Sequence, residues 1–138
     1  MRSRLTVALI VVLVSACGGP TKPSDNIVDQ FTGTVQPAST DIKLFDVGNT
    51  GEITIKLNSL TPGSNVVIGV LYGQNVSGVC QPVQTNSIVT NNSVGHTVLS
   101  GSILIKGPYC LLVFDPVGIS TNTQWPVAQT YSIEVSHP

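Results

Sequence analysis

Arginine is missing from everything after the first four residues: Arg2 and Arg4 are the only two, and Lys22, Lys43, Lys56 and Lys106 are the remaining basic side chains. A nucleic-acid partner needs a basic footprint, and this chain has none. Histidine is nearly as scarce. His96 sits in the polar stretch "NSVGHT" and reads as a solvated loop residue; His137 is penultimate and is expected to be mobile. Two distant histidines and three cysteines, two of them a pair, do not make up the three or four ligands of a zinc site. The nucleophile motif Gly-x-Ser-x-Gly is absent. The acids Asp25, Asp29, Asp41, Asp46, Glu52, Asp115 and Glu134 are scattered, and alternation is expected to put most of them on outward strand faces or in turns. They offer no paired-carboxylate centre for glycosidase chemistry. Charged residues make up 9% of the chain and helix formers are few, so no amphipathic helix is expected after residue 27. These shortages argue against an enzyme, a cofactor or a metal.

What is present starts with an apolar run. Behind Arg2 and Arg4 comes "LTVALIVVLV", residues 5 to 14, then the small residues Ser15 and Ala16. This is the three-part layout of a secretory signal peptide. The run is about half of the roughly 20 residues needed to cross a bilayer as a helix, which makes a permanent span there the weaker reading. Val14-Ser15-Ala16-Cys17 resembles the lipobox of bacterial lipoproteins. The resemblance implies removal of residues 1–16 and acylation of Cys17 by chains such as palmitate. It makes residues 17–27, "CGGPTKPSDNI", a tether rich in Gly and Pro, and residues 28–138 the folded domain. Two acyl chains hold a protein on a membrane where one would not. Gly18 stands where an Asp would imply inner-membrane retention. The implied address is the bacterial cell envelope, on the outer membrane of a Gram-negative host and otherwise on the outer face of the cell membrane. After residue 16 the four lysines and seven acids leave a net charge of −3.

Export places Cys80 and Cys110 in an oxidising compartment, where a disulfide between them is expected. The enclosed loop of about thirty residues corresponds to about 3–4 kcal/mol of stabilisation in the chain-entropy picture.

The domain is rich in Val, Ile, Thr, Ser, Asn and Gly, which favour strands and turns. Strands are expected over 28–35, 41–47, 52–60, 66–72, 87–90, 97–99, 102–107, 109–115 and 130–136. "EITIKLNSL" alternates cleanly, with Ile53, Ile55 and Leu57 inward; Tyr131, Ile133 and Val135 share a face in the last strand. "DIKLFDV" alternates at Ile42 and Leu44 and then shifts to Phe45 and Val47, which reads as a bulge or as a strand that bends between sheets. Pro108, Pro116 and Pro126 are expected to protect edges. Seven to nine short strands separated by turns predict an all-β antiparallel sandwich of jelly-roll type.

Phe45, Gly51 to Leu57, Leu71-Tyr72, Gly107-Pro108-Tyr109 through Phe114, and Tyr131 to Val135 resemble the bacterial pre-peptidase C-terminal domain. That family is a jelly roll attached to secreted and surface proteins, and the resemblance covers residues 28 to 136. Related members hold calcium with acids ahead of Leu-Tyr. Val66 and Ile68 stand there in this chain, so the resemblance implies no calcium site.

The segment 116–129 is long for a strand connection and carries the one tryptophan. Trp125, with Asn122 and Gln124 beside it, offers an aromatic face amid uncharged donors and acceptors, suited to a sugar or a polar peptide. A Trp125 that caps the core is the competing expectation. The function expected is a non-catalytic, lipid-anchored module binding an envelope protein or polysaccharide. A structural or accessory subunit of an envelope complex is the alternative, and a flat apolar sheet face would favour it. A hydrolase ranks third.

Overall fold

The computed structural model describes residues 25–63, 66–83, 87–116 and 127–138. Nine strands follow one another: β1 Ile27–Val35, β2 Thr40–Val47, β3 Gly51–Thr61, β4 Val67–Val76, β5 Val79–Pro82, β6 Ser87–Thr90, β7 Thr97–Ile103, β8 Gly107–Phe114 and β9 Gln129–His137. A single 3-10 turn, Asn91–Ser93, is the only helical element longer than one residue among the described residues. One sheet has the order β1-β9-β3-β7. The other has β2-β8-β4-β5, with β6 also paired to β4. Every pairing is antiparallel. The chain crosses from one sheet to the other at six of its eight connections, and the first and last strands are neighbours. That is the order of a jelly-roll sandwich.

Period-two alternation builds the core. Ile53, Ile55 and Leu57 of β3, and Tyr131, Ile133 and Val135 of β9, project from one sheet. Ile68, Val70 and Tyr72 of β4, and Tyr109, Leu111 and Val113 of β8, meet them from the other. Each such side chain removed from water contributes about 1.5–3 kcal/mol. Phe45 links the layers, its ring 6.0 Å from those of both Phe31 and Tyr109. The register of β3 breaks twice, at Ile55/Lys56 against β7 and at Leu57/Ser59 against β9. These bulges let the long strand twist around the core.

Several expectations change. β2 holds no bulge: its ladder with β8 runs unbroken from Thr40 opposite Phe114 to Val47 opposite Gly107. Its inward positions are Asp41, Lys43, Phe45 and Val47, while Ile42 and Leu44 face outward. The apolar pattern misleads because β2 is an edge strand whose inward end is polar. The stretches 97–99 and 102–107 are one strand and a connection, since β7 ends at Ile103. β5 has no counterpart among the expected strands, being short and ending in Pro82. Pro108 does not guard an edge. It lies in the inner strand β8 opposite Asp46, one position past the last β4–β8 pair. β1 starts at Ile27, the last residue assigned to the tether.

Candidate functional site

The disulfide between Cys80 and Cys110 is present, with Cα atoms 5.9 Å apart. It joins β5 to β8 across β4, on the outward side of the five-stranded sheet. Gly73, which pairs with both Cys110 and Pro82, makes the crossing possible. A Cβ there would run into the backbone of Gln81 and Pro82, so β5 lies over a strand that has no side chain at that point. The Cys110 sulfur lies 3.2 Å from the Gly73 carbonyl oxygen; a bonded sulfur carries no proton, so this is a contact rather than a hydrogen bond. Cys17, Asn122, Gln124 and Trp125 lie outside the described residues, as does Pro126.

Asp25, Asp46, Glu52 and Glu134 lie outward or before the first strand, as expected, but Asp29, Asp41, Asp115 and His137 do not. His137 is 1% exposed rather than mobile, with Nε2 3.1 Å from Asp29 Oδ2 and Nδ1 3.5 Å from the Pro138 carbonyl. Its ring packs on Phe45 at 5.1 Å. Both imidazole nitrogens face partners, and among the described residues no hydroxyl or thiol nucleophile is joined to either, so the pair latches β9 to β1. Asp41 also points inward and accepts the Tyr131 hydroxyl at 2.9 Å, with Lys43 Nζ at 3.2 Å. Gly33 leaves the room for this trio, because a Cβ there would strike both the carboxylate and the phenol. Burial, then the bond to Asp41, pushes the Tyr131 phenol far above its usual range. Asp115 is buried and accepts the Ala38 amide at 2.9 Å, which ties the turn after β1 to the end of β8. These charges look outward in a one-dimensional pattern, but edge strands commonly carry inward charges that discourage further strand pairing. Among the described residues, no three of His, Cys, Asp and Glu gather to hold a metal ion.

With the interior occupied by packing and latches, the outer faces remain. On the four-stranded sheet the outward residues form polar rows. Gln30, Glu134, Lys56 and Thr97 make one; Thr32, Ser132 and Ser59 another; Thr34, Thr130 and Thr61 a third. They bond among themselves: Gln30 Nε2 donates to Glu134 Oε2 at 2.8 Å, Thr34 and Thr130 hydroxyls lie 3.1 Å apart, and Asn58 Nδ2 donates to Gln30 Oε1 at 3.3 Å. On the five-stranded sheet the outward rows are apolar: Ile42, Leu112 and Leu71, then Leu44 beside the Cys110 end of the disulfide. Ile42 is 50% and Leu44 60% exposed, and Leu71 and Leu112 are half-buried. The tip of the Phe114 ring occupies the space over Gly69 at the end of this face. The sequence carries Ile42 and Leu44 in plain view, but only the register reveals that they point away from the core.

The molecule thus belongs to the class of small jelly-roll sandwiches with one polar and one apolar outer face. No protein-family model matches the chain, and no curated protein matches it in sequence. Among the described residues no helix is long and apolar enough to cross a membrane.

Proposed function

We propose that the protein is a non-catalytic module of the bacterial cell envelope, held to a membrane by acylated Cys17, that docks a protein partner and so acts as an accessory subunit. The observation that carries this reading is the exposed Ile42–Leu112–Leu71 row with Leu44 beside it. A sugar needs hydrogen-bonding groups around an exposed aromatic platform; the residues at the centre of this face, Ile42, Leu44, Leu71 and Leu112, supply neither, and the Phe114 ring at its end is buried. A flat strip of aliphatic side chains loses water most favourably against another protein's apolar surface. Of the two ligand classes the sequence allows, the face therefore favours a protein. The jelly-roll order, with Phe45, Tyr72, Tyr109 and Tyr131 all buried, is compatible with the resemblance to pre-peptidase C-terminal domains, which are attached to secreted and surface proteins.

A photo-crosslinking residue at Leu44, compared with one at Ser132, tests this in intact cells. The Leu44 probe is expected to give one discrete protein adduct, identified by mass spectrometry, and the Ser132 probe none. The Ile42→Ser/Leu44→Ser double variant is expected to lose that partner in native gels while keeping its melting temperature. Equal labelling from both positions, or an adduct to glycan, overturns the proposal.

A further inference from the structure

The two ends of the sandwich differ, and the difference bears on how the domain sits on its membrane. One end gathers the start of β1, the end of β9, the β2–β3 and β7–β8 connections and the β4–β5 hairpin. Asn26 fixes the incoming chain here: its Nδ2 donates to Ser136 Oγ at 3.2 Å and reaches the Glu52 carbonyl at 3.5 Å. Of the eleven large apolar residues exposed among the described ones, six lie at this end: Ile27, Val28, Val76, Val79, Leu104 and Ile105. Leu104, at 79%, is the most exposed of them, and Ile105 is 61% exposed. Both sit in the three-residue connection between β7 and β8, whose backbone is held because the Tyr109 hydroxyl donates to the Ile105 carbonyl at 2.7 Å. A braced loop that shows two adjacent aliphatic side chains to solvent has a surface waiting for an apolar phase.

We infer that this end rests on the phospholipid surface and that Leu104 and Ile105 enter its interfacial layer. The inference rests on the reading of Cys17 as the lipid anchor. Chain length then fixes the orientation. The eight residues from Cys17 to Ser24 span at most about 28 Å even when fully extended. The eleven-residue β3 runs roughly 35 Å from one end of the sandwich to the other. The tether is therefore too short to let the far end face the bilayer, and of the two ends the one that receives the chain is the nearer. Charge narrows the lipid. Asp25, Asp46 and Glu52 are exposed at this end against Lys106, so an anionic surface would repel it and a zwitterionic headgroup such as phosphatidylethanolamine fits. Contact through Leu104 and Ile105 is then apolar and indifferent to salt.

The test uses the full, acylated chain in phosphatidylethanolamine vesicles with brominated acyl chains. Leu104→Trp places a reporter on the loop, and Val94→Trp places one in the 91–96 turn at the opposite end; the emission of the parent protein is subtracted from each. The expected result is a blue-shifted signal from the Leu104→Trp protein that bromine quenches. The signal from the Val94→Trp protein stays unquenched, and neither changes in high salt. Quenching of neither reporter, or of both alike, in protein that still floats with the vesicles overturns the inference and leaves the anchor standing. A Cys17→Ser protein that floats as well as the parent overturns the anchor, and the inference falls with it.

Discussion

The two outer faces of the sandwich are built on the same ladder geometry and carry opposite chemistry. Outward positions of the four-stranded sheet are filled by Ser, Thr, Gln, Glu and Lys, whose side chains bond across strands. The central outward positions of the five-stranded sheet are filled by Ile42, Leu44, Leu71 and Leu112, with Thr40 and Asp46 at the ends of β2, and the Cys80–Cys110 bridge lies on the same side. Neither set is required by the core, which both sheets supply from their inward residues. The lesson is that alternation specifies only one face of a strand. The other is free to be polar or apolar without disturbing the core.

The comparison can be broken first at the bridge. Replacing Cys80 and Cys110 together by Ser is expected to cost about 3–4 kcal/mol in denaturant unfolding, because the unfolded chain regains the freedom of the closed loop. Loss of the β5 strap should also raise exposure of the apolar face, read as increased binding of a hydrophobic dye. Gly73→Ala adds a Cβ where Gln81 and Pro82 lie and should cost about 1–3 kcal/mol, as overpacking does. The equivalent test beneath the polar face is Tyr131→Phe, which leaves Asp41 with Lys43 alone. The lost bond to a charged acceptor is expected to cost about 1.5–3 kcal/mol.

Tyr131 also sets an alkaline limit. Its folded value is raised above the unfolded value of about 10, so its contribution is fully present below pH 10. Above that pH the unfolded chain releases a proton that the folded chain keeps, and stability falls. Unfolding curves between about pH 9 and 11 should show this decline, with a shallower slope in Tyr131→Phe. Tyr72, also raised by burial, retains part of the effect. The smallest expected change sharpens the contrast most: Ser132→Ala and Leu44→Ser should each shift stability by no more than about 0.5 kcal/mol, while only Leu44→Ser alters what the protein associates with.

Much of the fold is legible in the sequence. Strands whose inward residues are aliphatic and whose outward residues are polar, β3 and β9, declare themselves, and so does the apolar β8. β2 does not, because it reverses the rule: Asp41 and Lys43 point in beside Tyr131, and Ile42 and Leu44 point out. β5 is four residues long and ends in proline, too short to show a period. The disulfide follows from compartment and cysteine count. The apolar face cannot be read, since it consists of residues from three strands brought together by register alone. His137 escapes a reading from position, because nearness to the end of a chain says nothing about a residue that lies within the final strand, opposite Ile27.

The place of β9 has a consequence for the order of events as the chain is made. Its nine residues, Gln129–His137, lie between β1 and β3, and each of those strands takes its ladder partners from it. Until β9 has emerged, β1 has no neighbour in its sheet and β3 has only β7. The sandwich cannot close from its amino-terminal side before β9 has been made. Closure joins the two extremes of the domain, a long-range pairing of the kind that folds slowly, in milliseconds to seconds. The export proposed for this protein threads a chain across a membrane before it folds. Such a chain is kept threadable by its own topology, because the strand that completes the fold is the last of the nine to be made.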